Sequence, residues 1–215
     1  SMFDFAIGNQ NGIIVKGINN NSDDKSGAKM AENIVNVYNE IKSVNENAID
    51  GIFLSNHDVG RAAGFLLRKD ERVKLAAGIQ ILTTGNVFVY YGDELGMGGS
   101  GKDENKRAPM YWSKDDKAEG MCKGPADMED FQMKFDSLEE QQEDPDSIYN
   151  YVKQVIRIRN QNPAIARGTT TYLEQYSGEQ CFALTRSYED STLLLLGNTS
   201  AEPASVDLSG LTVGN

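Results

Sequence analysis

The stretch Gly51-Ile52-Phe53-Leu54-Ser55-Asn56-His57-Asp58 is the most informative part of this sequence, because an apolar run ends there in three polar residues. His57 is the only histidine in the chain. Barrels and open α/β sheets place their sites at the carboxyl ends of buried strands. A second apolar run, residues 87–91, follows about thirty residues later and ends in Gly92-Asp93-Glu94, which suits a β-α-β unit. The sequence therefore predicts two strand ends that deliver acidic side chains to one face.

The composition indicates an acidic globular chain. Its 32 Asp and Glu against 21 Lys and Arg give a net charge of −11, which argues against a nucleic-acid or anionic-membrane partner. No apolar run approaches the ~18 residues of a membrane span. Cys122 and Cys181 are too few for a disulfide framework and lack the spacing of a zinc site; whether they pair is left open.

Periodicity divides the chain into two parts. Helical spacing of apolar residues predicts helices over 26–44, from Asp70 to about residue 82, and from about Ser147, with strands at 50–55 and 86–91. We expect a short strand and loop over residues 2–18, and a short helix through Phe65 and Leu66 that Asn56 or Asp58 caps. Residues 92–146 show little periodicity, which is typical of a functional loop.

After Gly168 the pattern changes to β-rich runs at 169–176, 180–187 and 192–198, with a fourth expected at 205–208. We therefore predict a domain boundary near residue 165, which separates residues 1–165 from residues 166–215.

Each candidate site residue also has a structural interpretation. Asp58 could cap a helix, and His57 could be an interior histidine with its hydrogen bonds made inside the protein. The local pattern supports this interpretation and a pair that faces a polar ligand about equally. Asp93 and Glu94 suit the N-terminus of a helix after a glycine turn. Trp112 suits either packing or a sugar face. Arg61 and Arg107 lie nearest the acidic strand ends and suit an ion pair or a ligand contact.

In their order along the chain, these motifs resemble the α-amylase family, glycoside hydrolase family 13. Residues 53–58 (FLSNHD) resemble its seventh-strand motif, residues 87–97 (VFVYYGDELGM) its eighth strand, and residues 103–112 the loop beyond. The start of the chain resembles the sixth strand, and Asn162-Pro163-Ala164 the approach to the C-terminal β-sandwich. The resemblance is strongest to bacterial oligo-1,6-glucosidases and neopullulanases. It implies an α/β fold: about strands 6 to 8 of a (β/α)8 barrel, then an incomplete all-β sandwich.

The resemblance also implies a function and a set of site residues. Family members hydrolyse α-glucans and maltooligosaccharides with retention of configuration, using a carboxylate nucleophile and a carboxylic acid. By position, Asp58 would be the further acid that stabilises the transition state. Asn56, His57, Arg61 and Arg107 would bind substrate. The nucleophile and the general acid belong to strands 4 and 5, whose motifs are absent from this sequence.

We therefore expect a C-terminal fragment that is inactive alone and self-associates through an exposed barrel edge. A non-catalytic carbohydrate-binding or structural module is the alternative, and a catalytically inert, transporter-associated relative is a weaker one. We expect no metal or other cofactor in this part, although calcium stays open for a longer protein; Asp103, Glu104 and Asn105 would offer oxygen ligands. The sequence favours neither an extracellular nor a cytoplasmic location.

Overall fold

The computed structural model describes residues 3–20, 25–178 and 180–211. Its α-helices are α1 (Ile13–Asn19), α2 (Ser26–Val44), α3 (Ala62–Phe65), α4 (Asp70–Leu82), α5 (Asp103–Lys106), α6 (Leu138–Glu143), α7 (Ile148–Gln161) and α8 (Pro163–Arg167). Its strands are β1 (Gly51–Phe53), β2 (Asn86–Phe88), β3 (Thr169–Tyr172), β4 (Cys181–Tyr188) and β5 (Ser191–Asn198). Single turns of 3-10 helix lie at Asp93–Leu95 and Glu174–Tyr176.

Two parallel strands carry the candidate site. β1 pairs with β2 in the register Gly51 to Asn86 and Phe53 to Phe88. Phe3 forms an isolated parallel bridge to Gly51, and the Asp4 N–H donates to the Gly51 carbonyl at 3.0 Å. Residue 3 thus occupies the place of a third neighbouring strand, as the resemblance to a sixth strand predicts. Residues 1 and 2 of that predicted strand lie outside the described residues.

Three long helices confirm the predictions from periodicity. α2 begins at Ser26, α4 begins at Asp70, and α7 begins directly after Ser147, whose hydroxyl accepts a hydrogen bond from the Asn150 N–H at 3.1 Å. Their apolar faces meet behind β1 in one core that includes Ile14, Ile18, Met30, Ile34, Ile52, Leu54, Ala76 and Val152. Such a core fixes the strand positions through the close packing of its side chains.

Three local predictions are wrong. Residues 13–19, expected as strand or loop, form α1, which packs on α2 and α4. The short helix α3 begins after Arg61, and neither Asn56 nor Asp58 caps it. Residues 205–208 form no strand. In each case tertiary packing or a local turn decides the conformation, and sequence propensity does not.

The last three strands form a separate antiparallel sheet in the order β3-β4-β5. This sheet packs on α2 and α8. Contact with α2 is close, because a Cβ atom on Gly27 would lie 2.4 Å from the Gln180 carbonyl oxygen. The Ser26 and Thr199 hydroxyls share a hydrogen bond of 2.8 Å across the same interface. The division into domains near residue 165 stays a prediction.

Two further findings concern the cysteines and the length of the helices. Cys122 is exposed and Cys181 is buried, and no disulfide joins them. Among the residues that the structure describes, none of the helices combines the length and the apolar character needed to cross a membrane.

Candidate active site at the carboxyl ends of the parallel strands

A tight turn after β1 turns two side chains toward solvent. The Asn56 side-chain oxygen accepts hydrogen bonds from the backbone N–H groups of Asp58, at 2.8 Å, and Val59, at 3.0 Å. Asparagine favours such turns because its short side chain replaces a backbone acceptor. Along a regular strand His57 and Asp58 would point to opposite faces. The turn removes that constraint, so both side chains face solvent, with exposed fractions of 61% and 69%.

Asp58 lies among cationic and hydrogen-bonding groups. Its Oδ1 atom lies 3.3 Å from Nε2 of His57 and 3.7 Å from an Nη atom of Arg107. The Lys106 ammonium donates to the Asp58 backbone carbonyl at 2.8 Å and to the Asp103 carboxylate at 2.8 Å. The structure thus brings together Asn56, His57, Asp58 and Arg107 from the predicted set. Lys106 and Asp103 also belong to this cluster. The sequence motifs taken one at a time do not reveal that these two residues lie beside Asp58.

Arg61 differs from the prediction of a direct substrate contact. Its side chain has no exposed surface, so a ligand in the open site cannot touch it. The guanidinium lies 4.3 Å and 4.5 Å from the ring centroids of Tyr90 and Tyr91. It donates to the Tyr91 carbonyl, and the Arg61 N–H donates to the Gly99 carbonyl at 2.8 Å. Arg61 therefore ties the turn that carries Asp58 to the segment after β2.

Asp93 is buried behind the open site. One of its oxygens accepts a hydrogen bond of 2.5 Å from the Ser55 hydroxyl, and the other lies 3.9 Å from an Nη atom of Arg61. Burial raises the pKa of Asp93 to about 7, although Ser55 and Arg61 oppose the shift. The prediction that both strand ends deliver an acid to one face therefore holds only for Asp58, which is exposed. Asp93 lies beneath that face and bonds Ser55. Ser55 is a member of this network that the sequence did not single out.

The long segment after β2 is ordered by its own contacts. The Tyr91 hydroxyl donates to the Ala108 carbonyl at 2.8 Å, and the Asn105 amide donates to Ser100 and to Glu129, each at 2.8 Å. Trp112 keeps 43% of its surface exposed. An apolar cavity of about 420 Å³ lies in this segment and is lined mainly by methionines and aromatic residues. Regular structure over residues 92–146 is limited to α5, α6 and one 3-10 turn, as the weak periodicity predicts, and a functional role for this loop stays a prediction.

The oxygen ligands considered for calcium do not fit that ion. The Asp103 carboxylate pairs with Lys106 at 2.8 Å and Arg107 at 3.7 Å, and these cations would repel a metal. The Asn105 side-chain oxygen already accepts from the Glu129 N–H at 2.9 Å. Across the described ranges, no group of three or more His, Cys, Asp or Glu residues is placed to hold a metal.

Comparison with known proteins identifies the family. The profile of the alpha amylase catalytic domain matches residues 15–168, which is more than half of the chain. The chain belongs to the α-amylase family, glycoside hydrolase family 13. The match includes β1, β2 and the whole cluster around Asp58.

Solved structures of the family share the fold. Amy13B of Eubacterium rectale is 43% identical with a TM-score of 0.93 over 99% of this chain and 42% of that protein. The alpha-amylase of H. orenii is 26% identical with a TM-score of 0.74 over 92% of this chain and 38% of that protein. These likenesses agree with a partial (β/α)8 barrel. The β-sandwich of the prediction is not confirmed, since the described strands after residue 168 form one three-stranded sheet.

Curated relatives agree with this assignment. Alpha-amylase SusG of Bacteroides thetaiotaomicron is 30% identical over 166 residues, which cover 76% of this chain and 23% of SusG. Alpha-amylase 3 of Dictyoglomus thermophilum is 30% identical over 154 residues, covering 72% and 31%. The chain thus spans between about a quarter and a third of these two relatives.

Proposed function

We propose that this chain is the C-terminal part of a retaining α-glucan hydrolase and that Asp58 stabilises its transition state. The proposal rests on one observation: within the matched catalytic domain, the Asp58 and His57 side chains are exposed side by side at the carboxyl end of β1. That end is where barrel enzymes bind their substrates. The names of the relatives, alpha-amylase and cyclomaltodextrinase among them, support an α-glucan as the substrate class.

The geometry fits recognition of a distorted sugar. A carboxylate has two oxygens that can accept hydrogen bonds from two neighbouring ring hydroxyls. These bonds strengthen as the ring flattens toward the oxocarbenium-like transition state. The imidazole of His57, at 3.3 Å from Asp58, would bond the same sugar, and the positive charge of Arg107 would hold the carboxylate in place. Hydrogen bonds that strengthen in the transition state raise kcat.

We also propose that this chain alone does not cleave glycosides. A retaining mechanism needs a nucleophile and an acid about 5 Å apart, and the acid needs a raised pKa. Asp103 shares Arg107 with Asp58, but its hydrogen bond to Lys106 lowers its pKa, so it is a poor proton donor. Asp93 has a raised pKa but only 9% of its side chain is exposed. Neither acid near Asp58 therefore suits the role of general acid.

The single histidine gives a direct test. We would follow the ring signals of His57 by NMR while adding maltooligosaccharides, and assay the same sample for released reducing ends. We expect the His57 signals to shift without turnover, and the shift to weaken in Asp58→Asn. Asp190→Asn, on the exposed turn between β4 and β5, is the matched control and should bind like the original chain. Turnover by this chain alone would overturn the proposal of inactivity.

A longer chain that includes the missing strands tests the catalytic role. There, Asp58→Asn should lower kcat by about 10²–10³, the usual effect of removing one transition-state contact. An unchanged kcat would contradict the role of Asp58. Glucan binding by the longer, unmutated chain without any cleavage would instead favour the alternative of a carbohydrate-binding module.

We further propose that the chain self-associates through its barrel face. Phe3, Phe5 and Phe88 are 52%, 56% and 43% exposed, although each packs edge-on against another aromatic ring in this region. In closed barrels such inward side chains are covered by the opposite strands. A second copy would cover them here and pair with the open strand edge. Sedimentation velocity should show mass that rises with concentration, and a monomer at every concentration would contradict this.

A further inference from the structure

A second cavity lies at the opposite ends of the same strands. Its volume is about 400 Å³, within the range of small-molecule sites. Asp50, directly before β1, and Asn86, the first residue of β2, both line it, whereas Asp58 follows the other end of β1. The remaining walls come from α2, α7, α8, β4 and the loop residues next to them. The cavity is therefore separate from the candidate active site.

Positive charge is concentrated in this cavity. Lys42, Arg159, Arg167 and Arg186 line it, which is four of the 21 basic residues of the chain. Among the residues that the structure describes, Asp50 is the only acid in the lining. The chain as a whole is strongly acidic, whereas the lining of this cavity is basic. This local difference in charge points to a ligand of negative charge.

Among the described residues, no acid forms an ion pair with the half-buried Arg159 or the buried Arg186. Arg159 donates to the carbonyls of Ile81, at 2.8 Å, and Gly85, at 2.6 Å. Arg186, which is 1% exposed, donates to the Ile165 carbonyl at 2.7 Å and to the Thr170 hydroxyl, while its Nε atom has no partner among the described residues. Burial lowers the pKa of both arginines, and the charge of Arg159 adds to the effect on Arg186.

Asp50 does not supply the missing negative charge. It is 5% exposed, its carboxyl oxygens are closed off from solvent, and the Asp4 carboxyl lies beside it. Burial, with a further contribution from the neighbouring Asp4 carboxyl, raises the pKa of Asp50 to about 7. Among the described residues, the walls of the cavity thus carry more positive than negative charge, and the carboxyl oxygens of Asp50 are closed off from solvent.

We propose that this cavity binds a phosphate group, with Lys42, Arg159 and Arg167 holding its charged oxygens while the buried Arg186 adds positive charge behind them. Guanidinium groups match the geometry of phosphate oxygens. Inorganic phosphate and the phosphate of a sugar monoester share this chemistry, and the volume allows either. Nothing in the proposed glycosidase chemistry uses this site.

Titration calorimetry with inorganic phosphate tests the proposal on the intact chain, at ionic strength held constant with sodium chloride. Arg167→Ala is the informative variant because Arg167 is exposed, so its removal should not disturb folding. Arg157→Ala is the matched control, since it removes an exposed arginine on α7 that does not line the cavity. We expect saturable binding, about tenfold weaker in Arg167→Ala and unchanged in Arg157→Ala and Asp58→Asn.

Glucose 1-phosphate and glucose separate the two sources. Equal affinity for phosphate and glucose 1-phosphate would assign the site to the free anion, and tighter binding of glucose 1-phosphate, without binding of glucose, would assign it to a sugar phosphate. Absence of saturable binding at millimolar phosphate would overturn the proposal. An equal loss in Arg167→Ala and Arg157→Ala would also overturn it, because it would show charge screening instead of a site.

Discussion

The two ends of the β1–β2 pair treat charge in opposite ways. At the carboxyl end, Asp58 and Arg107 keep 69% and 37% of their side chains exposed and lie 3.7 Å apart in solvent. At the amino end, Asp50 and Arg186 are buried, and among the described residues neither forms an ion pair with an opposite charge. Water screens the attraction between Asp58 and Arg107 but leaves both side chains accessible to a ligand. Burial of Asp50 and Arg186 instead makes the free energy of folding depend on whether each group carries a charge. Asp58 and Asp50 are both aspartates next to a strand end, so their different surroundings follow from their exposure to solvent and not from their residue type.

The largest expected effect concerns the support behind the carboxyl end. Arg61→Ala removes a fully buried guanidinium that contacts the rings of Tyr90 and Tyr91, and it leaves Asp93 without its cation. We expect a loss of about 3–5 kcal/mol in the free energy of unfolding, measured by urea denaturation.

The matched control is Arg107→Ala at the same end. Because Arg107 keeps 37% and Asp58 keeps 69% of the side chain exposed, water screens their pair and the loss should stay below about 1 kcal/mol. Similar losses in the two variants would show that burial does not distinguish the two arginines.

The amino end should control how stability depends on pH. The pKa of Asp50 is raised from 3.8 to about 7 in the folded chain, so between these values the folded state holds a proton that the unfolded state has lost. Stability from this group is therefore present at low pH and is lost as pH rises through 7. We expect a loss of about 2 kcal/mol between pH 5 and pH 8, measured by urea denaturation in phosphate-free buffer.

Asp50→Asn should remove that part of the pH dependence. A residual slope of the same sign should persist, because burial also raises the pKa of Asp93 to about 7. Parallel pH profiles for the original chain and Asp50→Asn would refute the assignment to Asp50.

The smallest effect concerns the turn that exposes the site. Asn56→Ala removes the acceptor of two backbone N–H groups, which should lower the free energy of unfolding by about 1 kcal/mol. The NMR signals of His57 should also broaden, because the turn no longer fixes its backbone. Asn45→Ala removes a similar turn contact, to the Asn47 N–H at 2.9 Å, far from the site. Unchanged His57 signals in Asn56→Ala would show that the turn does not order the site.

Sequence patterns predict the long elements well and the turns poorly. α2, α4 and α7 were predictable because each repeats its apolar residues over several turns, and a start at Asp70 or after Ser147 carries a clear signal. α1 was not, because residues 13–15 (IIV) favour a strand locally and form a helix only through packing on α2 and α4.

The candidate site was predictable at Asp58 and His57 but not in its support. The abrupt end of the apolar run marks both residues, and their family motif adds a role. The burial of Arg61 depends on Tyr90 and Tyr91, which lie about thirty residues away in sequence and meet it only in the folded chain. A lone arginine after a polar run is usually exposed, so no local pattern indicates this position.

The four consecutive leucines of β5, residues 193–196, have a consequence for handling the protein. Within the described residues β5 pairs only with β4, and Leu196 is 45% exposed on this edge strand. An uncharged, apolar edge segment of this length is a typical nucleus for cross-β fibrils. A gatekeeper lysine in Leu196→Lys should delay the rise of thioflavin T fluorescence, and an unchanged lag time would place the nucleus elsewhere.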